Sequence, residues 1–355
     1  MSYKYEDYSE ADGRVGVHTQ SALVEKDFGP DTQFKLSAVN DAIAGATPTG
    51  EPARGTDQVP LSQLHEHRKA WEGDLSRQFA RVGITIGVGD SREHDYISRG
   101  WSLNTLTDFN QKNTTLLVGV AGHDDDVEVF SLRGHPYLKK WSNDQIIGVT
   151  QLLDPLTSVT FNVSWGRETG FLNDQYKLVQ KTTELIPGVS LPLDRPENRP
   201  NERDKTTALA SIERSFPAVH GALEGSYRLY SDTYGTVAHT VQLKWFQHLG
   251  EKLILSPDLR LYEQSAARFY HYDLDATNIV PTLVPNPQGP LYSSDYRLSS
   301  LVTTTYGLKA VWTPVSWLEL SVSYDRYTMR GRDGATPQSA YPRANNSTAG
   351  IKISW

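Results

Sequence analysis

The chain has 355 residues, a net charge of -7 and no cysteine, which excludes disulfide bonds, thiolate metal sites and cysteine nucleophiles. Its mean hydropathy of -0.49, and the lack of any apolar run approaching about 18 residues, exclude transmembrane helices. The acidic balance argues against nucleic acid as a partner. Closed β-barrels escape the hydropathy test, because each of their strands shows only alternate residues to lipid.

Runs with period-2 alternation recur along the chain and predict strands with one apolar and one polar or small face. In chain order they include VGITIGV (82–88), SVTFNVSW (158–165), SWLELSVSY (316–324) and GIKISW (350–355). Each belongs to a segment of about ten residues, which is the length that a tilted membrane strand needs.

The connections between these runs are of two kinds, and the two kinds alternate along the chain. Short turns are expected at 28–34, 79–82, 109–114, 153–158, 216–221, 246–252 and 312–317. Longer or more polar links are expected at 11–14, 46–68, 91–97, 123–138, 175–204, 231–235, 272–295 and 331–346. Seven turns and eight links join sixteen strands, with all the short turns at one end.

This pattern predicts an all-β fold: a transmembrane antiparallel up-and-down β-barrel of about 16 strands, with short periplasmic turns and long extracellular loops. We expect one domain over residues 1–355, located in the bacterial outer membrane, with membrane lipid and the barrel assembly machinery as partners. Soluble sandwiches and lipocalin-like barrels are the alternative, but they rarely keep their short turns at one end over sixteen strands.

Aromatic residues beside the short turns predict a periplasmic girdle at the boundary between hydrocarbon and water. The expected members are Phe28, Phe79, Phe109, Phe216, Phe246, Trp312, Trp317 and Trp355. Trp355 would belong to the closing strand, which must pair with the first strand because an open edge in lipid leaves backbone groups unsatisfied. An aromatic residue at this place is similar to the assembly signal of outer-membrane barrels in general.

Several longer segments carry a resemblance to a known family. They are residues 6–50, HDYISRGWSLN (94–104), NQKNTTLLVGV (110–120), YEQSAARFYHYDL (262–274) and YSSDYRLSS (292–300). The chain resembles a bacterial family known only as a domain of unknown function, whose members are presumed to be outer-membrane barrels. The resemblance implies a fold and a location, and it transfers no substrate and no catalytic residue.

Charged residues on the polar faces of the alternating runs are candidates for the lumen, and both signs occur. They are Glu72, Asp74, Glu224, Arg228, Lys244, Asp258, Arg260, Lys309, Glu319, Asp325 and Lys352. Opposed signs across a pore would create a transverse field that favours small polar solutes. The alternative is that these charges pair with each other along the wall and only solvate it.

Two of the expected links are long enough to fold inward and narrow the passage. The link at 46–68 contains HEHRKAWEGD, a candidate for a short helix in the mouth of the barrel. The link at 175–204 is rich in proline. The sequence does not decide between them.

The stretch GHDDDVE (122–128) is the strongest candidate for a metal site, and no other cofactor is expected. Asp124, Asp125, Asp126 and Glu128 could bind calcium through hard oxygen ligands, provided that the segment is a loop; a solvated acidic loop is the alternative. A second candidate set is formed by the histidines expected at the external end: His65, His67, His94, His123 and His135.

The sequence thus favours a porin-like channel for small polar solutes. The alternative is a sleeve or docking platform for a partner protein, such as an electron carrier or a secreted chain. Aromatic residues in 262–274 and 292–300 would then form the partner surface, or else an ordinary external girdle. We do not expect an enzyme: His123 beside acidic residues resembles outer-membrane proteases only in composition, and His18 and Ser21 lie on opposite strand faces.

Overall fold

The computed structural model describes residues 1–53, 55 and 57–354, and within them sixteen antiparallel strands close into a barrel. The barrel strands are β1 (Ser2–Glu10), β2 (Gly16–Asp27), β3 (Thr32–Pro48), β4 (Leu61–Phe79), β5 (Val82–Arg92), β6 (Tyr96–Phe109), β7 (Thr114–Glu128), β8 (Tyr137–Asp154), β9 (Thr157–Gly170), β12 (Glu202–Phe216), β13 (Gly221–Asp232), β14 (Val237–Leu249), β15 (Leu253–Gln264), β16 (Leu301–Val315), β17 (Leu318–Gly331) and β18 (Arg343–Ile353). A separate hairpin, β10 (Leu178–Ile186) and β11 (Val189–Pro196), lies in the link between β9 and β12. The predicted fold class is confirmed.

The two ends of the barrel differ as the sequence predicts. At one end each pair of strands is joined by a turn of a few residues, and two of these turns contain a 3-10 turn (Asn110–Lys112 and Pro217–Val219). At the other end lie the longer links, of which 171–201 and 265–300 are the longest. β1 pairs with β18, so that Ser2 lies opposite Lys352 and the barrel has no open edge. The expected girdle position Trp355 lies outside the described residues.

The stretch HEHRKAWEGD is strand, and the predicted helix in it is wrong. It belongs to β4, so the link that precedes it covers only residues 49–60. The physical reason is its alternation: Glu66 and Arg68 point to one face and His65 and His67 to the other. Arg68 reaches Asp41 on β3 with 2.6 Å between Nε and the carboxylate, which fixes the register.

Apolar side chains cover the outside of the barrel, and the buried apolar residues lie elsewhere. Leu75, Ile86 and Leu103 are neighbours on β4, β5 and β6 and are all exposed on the outer face. No helix in the part of the chain that the structure describes is long and apolar enough to cross a membrane. Most of the buried apolar side chains belong to the links and strand ends at the long-link end, and include Val59, Val179, Tyr234, Phe269, Tyr292, Tyr296, Leu298 and Tyr341.

Glycines on the inner face make room for polar side chains to lie along the wall. A methyl group on Gly87 would come within 2.5 Å of the Asp74 carboxylate, and one on Gly307 within 1.9 Å of the Asp325 carboxylate. Each glycine is the cross-strand partner of the aspartate that covers it. These carboxylates therefore lie along the wall over the glycines instead of pointing toward the barrel axis. The lumen is wider at these positions as a result.

Candidate functional site

The two longest links fold over and into the mouth of the barrel, and together they form what we call the plug, residues 171–201 and 265–300. The 3-10 turn Tyr296–Leu298 belongs to its second half. Tyr296 lies in a buried apolar cluster against which Tyr262 and Met329, two side chains on the inner face of the barrel wall, pack. Leu298 shares a second buried cluster with Tyr234, which lies in the link between β13 and β14. The plug is therefore seated inside the rim.

Polar contacts tie the plug to the rim at several places around the mouth. On one side Lys177 Nζ donates to Thr47 Oγ1 at 3.2 Å, and Leu178 N donates to the Thr49 carbonyl at 2.7 Å. Further round, Tyr176 donates its hydroxyl to Asp95 at 2.7 Å. In the link 332–342, which contains the 3-10 turn Gln338–Ala340, Tyr341 exchanges a hydrogen bond with Ser299 at 2.7 Å. These contacts hold the plug against the rim at the long-link end.

A buried ion network joins the two halves of the plug. Arg199 Nε lies 2.6 Å from Glu197, and Arg199 Nη2 lies 2.8 Å from Asp295. Arg297 Nη2 lies 2.6 Å from Asp295 and also pairs with Asp174. Glu197 and Asp295 are almost completely buried, at 0% and 1% exposure. Such a network holds only while each charge has its partner, because an uncompensated buried charge is strongly destabilising.

The environment of the network shifts the pKa values of its members in opposite directions. Burial raises the pKa of Glu197 to about 7, against the opposing effect of Arg199. Burial also acts to raise the pKa of Asp295. Arg297 and Arg199 outweigh burial and hold the pKa of this carboxyl well below its usual range. Burial lowers the pKa of Lys177, although Asp295 and Asp174 oppose this. Glu197 is therefore the member of the network that titrates near neutral pH.

We expect the plug to open more readily at pH 8 than at pH 5. Because the Glu197 pKa rises from 4.5 to about 7 on docking, the docked plug binds more protons in that window, and docking weakens as pH rises through it. The ratio of undocked to docked plug should change by about tenfold or more, since one pKa unit corresponds to tenfold. Hydrogen exchange of the backbone amides of the plug, corrected for the intrinsic exchange rate at each pH, measures this ratio. A Glu197→Gln variant that keeps the same pH dependence would contradict the assignment.

All eleven predicted lumen residues share the inner face, since cross-strand partners point to the same side of a sheet. The register aligns Glu224 with Lys244 and Lys244 with Asp258, and sets Glu319 opposite Lys352. Among the described residues, however, none of the eleven forms an ion pair within 4.0 Å. The geometry does not favour the alternative in which these charges neutralise each other along the wall.

The unpaired charges are distributed unevenly around the lumen. Glu72 and Asp74 lie on β4, which is eight steps from β14 in either direction around the ring of strands. The opposite wall, β13 to β15, carries three basic candidates, Arg228, Lys244 and Arg260, and two acidic ones, Glu224 and Asp258. Only acidic candidates thus lie on β4, and the wall across the lumen from it carries both signs.

The predicted girdle residue Phe246 points into the lumen, so its assignment is wrong. It has the same parity as Lys244 on β14, and Lys244 Nζ lies 5.1 Å from the centre of its ring. The outward position beside it belongs to Trp245, which packs on the girdle residue Phe216 with 5.7 Å between ring centres. Other expected girdle residues are exposed near the short turns: Phe28, Phe79, Phe109, Trp312 and Trp317.

A second girdle, near the long links, was not predicted from the sequence. Trp71, Trp101 and Trp141 lie on the outer faces of β4, β6 and β8 and are about half exposed. Two positions beyond each tryptophan, toward the long-link end, the outward side chain is polar or charged. The signal was available in part: Trp71 and Trp101 extend the outward faces that hold Leu75 and Leu103, whereas Asn143 and Gln145 separate Trp141 from the outward Ile147.

The acidic stretch 122–128 does not form the loop that a calcium site would need. It is the end of β7, so Asp124 and Asp126 face outward while Asp125 faces inward. Asp124 and Asp126 pair with Lys139 at 2.8 and 2.9 Å, and Asp125 accepts a hydrogen bond from Tyr96. Within residues 1–53, 55 and 57–354, no group of three or more histidine or acidic side chains is arranged to hold a metal ion.

The five histidines are likewise not brought together. His65 and His67 point outward from β4, and His123 points into the lumen from β7. His94 and His135 lie in two different links, and His135 is 3.8 Å from Glu128. The aromatic residues of 262–274 and 292–300 also differ from expectation: Phe269, Tyr292 and Tyr296 are buried in the plug, so they form neither an exposed partner surface nor an external girdle.

Comparison with solved structures finds other barrels at low sequence identity. A bacterial polysaccharide outer membrane secretin has a TM-score of 0.50 and 8% identity, over 100% of this chain and 98% of that one. The siderophore receptor PirA from Pseudomonas aeruginosa has a TM-score of 0.46 and 11% identity, over 99% and 60%. The CymD monoaromatic hydrocarbon channel has values of 0.45 and 9%, over 100% and 87%. At these identities the likeness shows the fold alone.

The chain spans 60% of the length of the siderophore receptor. None of the curated proteins matches it in sequence. The model of a family described as "Protein of unknown function (DUF3570)" matches residues 1–350, nearly the whole chain, and this confirms the resemblance stated above. The protein belongs to the DUF3570 family.

Proposed function

We propose that this protein is a plugged channel of the bacterial outer membrane, which passes small polar solutes when its plug leaves the mouth. The observation that carries the proposal is the set of charged side chains of both signs that face the lumen without ion pairs among the described residues, from Glu72 and Asp74 on β4 to Arg228 and Arg260 beside β14. A lumen lined by such charges favours polar solutes over apolar ones.

The spacing of the two aromatic girdles supports the location. Phe79 follows Trp71 by eight positions on β4, and Phe109 follows Trp101 by eight positions on β6. At about 3.3 Å per residue and a tilt of about 40°, eight residues rise about 20 Å. The apolar band of an outer-membrane barrel is about 25 Å tall, so the girdles stand where its two edges would be. Outer-membrane lipid and the barrel assembly machinery are the partners that follow.

Single-channel recording in a planar bilayer tests the proposal. We expect discrete current steps from the refolded protein, separated by closed periods in which the plug is docked. The Asp295→Ala variant, which is expected to weaken docking of the plug, should conduct for much longer periods. Silence from both proteins, each shown to be folded and inserted, would contradict a channel function.

Acidic and basic side chains that face the lumen should have opposite effects on ion selectivity. The double variant Glu72→Gln, Asp74→Asn removes two negative charges, so the reversal potential in a salt gradient should shift toward anions. Arg228→Gln removes one positive charge and should shift it toward cations. The shift should fall as salt rises, because at 1 M the screening length is only about 3 Å. Arg92→Gln, on the outer face, is the matched control and should leave the reversal potential unchanged.

A sleeve for a partner protein is less well supported, because the chain's own links occupy the mouth that a partner would have to fill. A hydrolase is also less well supported. His123 and Asp125 share the inner face, but the Asp125 carboxylate accepts a hydrogen bond from Tyr96 and lies 3.8 Å from Lys140 Nζ. Ser98 Oγ is 3.5 Å from His123 Nδ1, at the limit of a hydrogen bond. We propose no catalytic role.

A further inference from the structure

A cavity of about 380 Å³ lies between the plug and the wall formed by β8, β9, β12, β13 and β15. Four of the side chains that line it are cationic: Arg203, Lys205 and Arg228 from the wall, and Arg297 from the plug. Asp144 is the single carboxylate among the described residues that line it. Its volume is near the lower end of the range of small-molecule sites, about 300–1,000 Å³.

Three of these cations have carboxylate partners but keep free donors. Arg203 uses Nε and Nη2 on Asp232, and Arg297 uses Nε and Nη2 on Asp295. Lys205 gives one hydrogen bond of 2.9 Å to Glu168. A guanidinium carries five N–H groups and an ammonium carries three. Each of these side chains can therefore still donate to a ligand in the cavity.

Arg228 is the one cation of the four that has no carboxylate partner among the described residues. In the described part of the chain, the only hydrogen bond of the Arg228 side chain is one of 3.5 Å to Thr240 Oγ1, and no carboxylate pairs with it. The side chain is exposed, so its guanidinium group is free to meet an anion that enters the cavity.

We infer that this cavity binds the oxyanion group, carboxylate or phosphate, of a small polar solute, with Arg228 as its charge partner. Planar N–H donors match the geometry of both groups. The inference rests on the proposed channel and names the class of solute that it would pass. Arg297 lines the same cavity, so a bound anion would lie beside the 3-10 turn of the plug.

Isothermal titration of the protein in detergent micelles tests this without any need for conduction. The probes are inorganic phosphate and acetate in a chloride buffer, which separate a phosphate site from a carboxylate site and both from simple charge attraction. We expect saturable binding of one or both. Arg228→Gln should weaken it by about tenfold or more, as expected for a hydrogen bond to a charged group.

One further variant makes the result specific. Arg92→Gln removes one positive charge from the outer face and should bind like the wild type. No saturable binding of either probe, or equal binding by Arg228→Gln, would overturn the inference. If the protein conducts but binds neither probe, the channel function stands and this site is wrong. If it binds a probe but never conducts, the site stands and the channel function is wrong.

Discussion

Replacing Asp295 with alanine is expected to turn a mostly closed channel into a mostly open one. Asp295 is 1% exposed and pairs with both Arg199 and Arg297, at 2.8 and 2.6 Å. It also accepts a hydrogen bond from the Arg297 backbone N–H and so caps the 3-10 turn Tyr296–Leu298 of the plug. Without it two guanidinium groups lose their shared partner, and the loss of one partner from a buried ion pair costs roughly 3–5 kcal/mol.

The substitution weakens docking of the plug and leaves the stability of the barrel unchanged, because the strands keep all of their ladder hydrogen bonds. We therefore expect a stable barrel with long open periods in single-channel recordings, and unchanged β-sheet content by circular dichroism. Asp275→Ala is the matched control: it removes an exposed carboxylate from the same link, where Asp275 contacts Thr182. A folded, inserted Asp295→Ala protein with the open time of the wild type would show that this network does not hold the plug.

The barrel was predictable because its determinants are local. Strands such as β5 and β17 alternate apolar with polar or small residues over 82–88 and 318–325, and a one-residue slip would turn every side chain to the wrong face. The alternation of short turns and long links then sets the strand number and direction. The same parity placed the lumen candidates on one face, from Glu72 on β4 to Lys352 on β18.

The errors arose where parity was not applied or where a segment was judged by composition. Phe246 and Lys244 are two positions apart, so they cannot lie on opposite faces of β14. The charged stretch in β4 suggested a helix, although His65, Glu66, His67 and Arg68 already alternate between the faces. The aspartates of β7 suggested a metal site for the same reason.

The plug could not be predicted, because its contacts join residues that are distant in the chain. Arg199 and Asp295 lie 96 positions apart, and Lys177 reaches Thr47 across 130 positions. No periodicity marks either segment, since proline and glycine interrupt both. The ion network and the cavity beside it, which carry the proposed function, therefore emerge only from the folded structure.

Lysine in place of Ile86 is expected to destabilise the barrel by about 2–4 kcal/mol, the cost of a lysine at the midplane of the lipid-facing surface. Ile86 is 54% exposed on the outer face, between Leu75 and Leu103 and midway between the two aromatic girdles. Reversible denaturant unfolding in lipid vesicles measures the change.

The adjacent residue is the control, because it differs only in the face to which it points. Thr85 faces the lumen, where its hydroxyl shares a hydrogen bond of 2.9 Å with Ser76 and where Asn104 is its neighbour on β6. Thr85→Lys adds the same charge at the same depth, yet its ammonium group can remain hydrated in the lumen, so we expect a change below about 1 kcal/mol, the loss of one neutral hydrogen bond. Equal destabilisation by the two variants would mean that the outer face does not contact lipid, and the membrane location would fall with it.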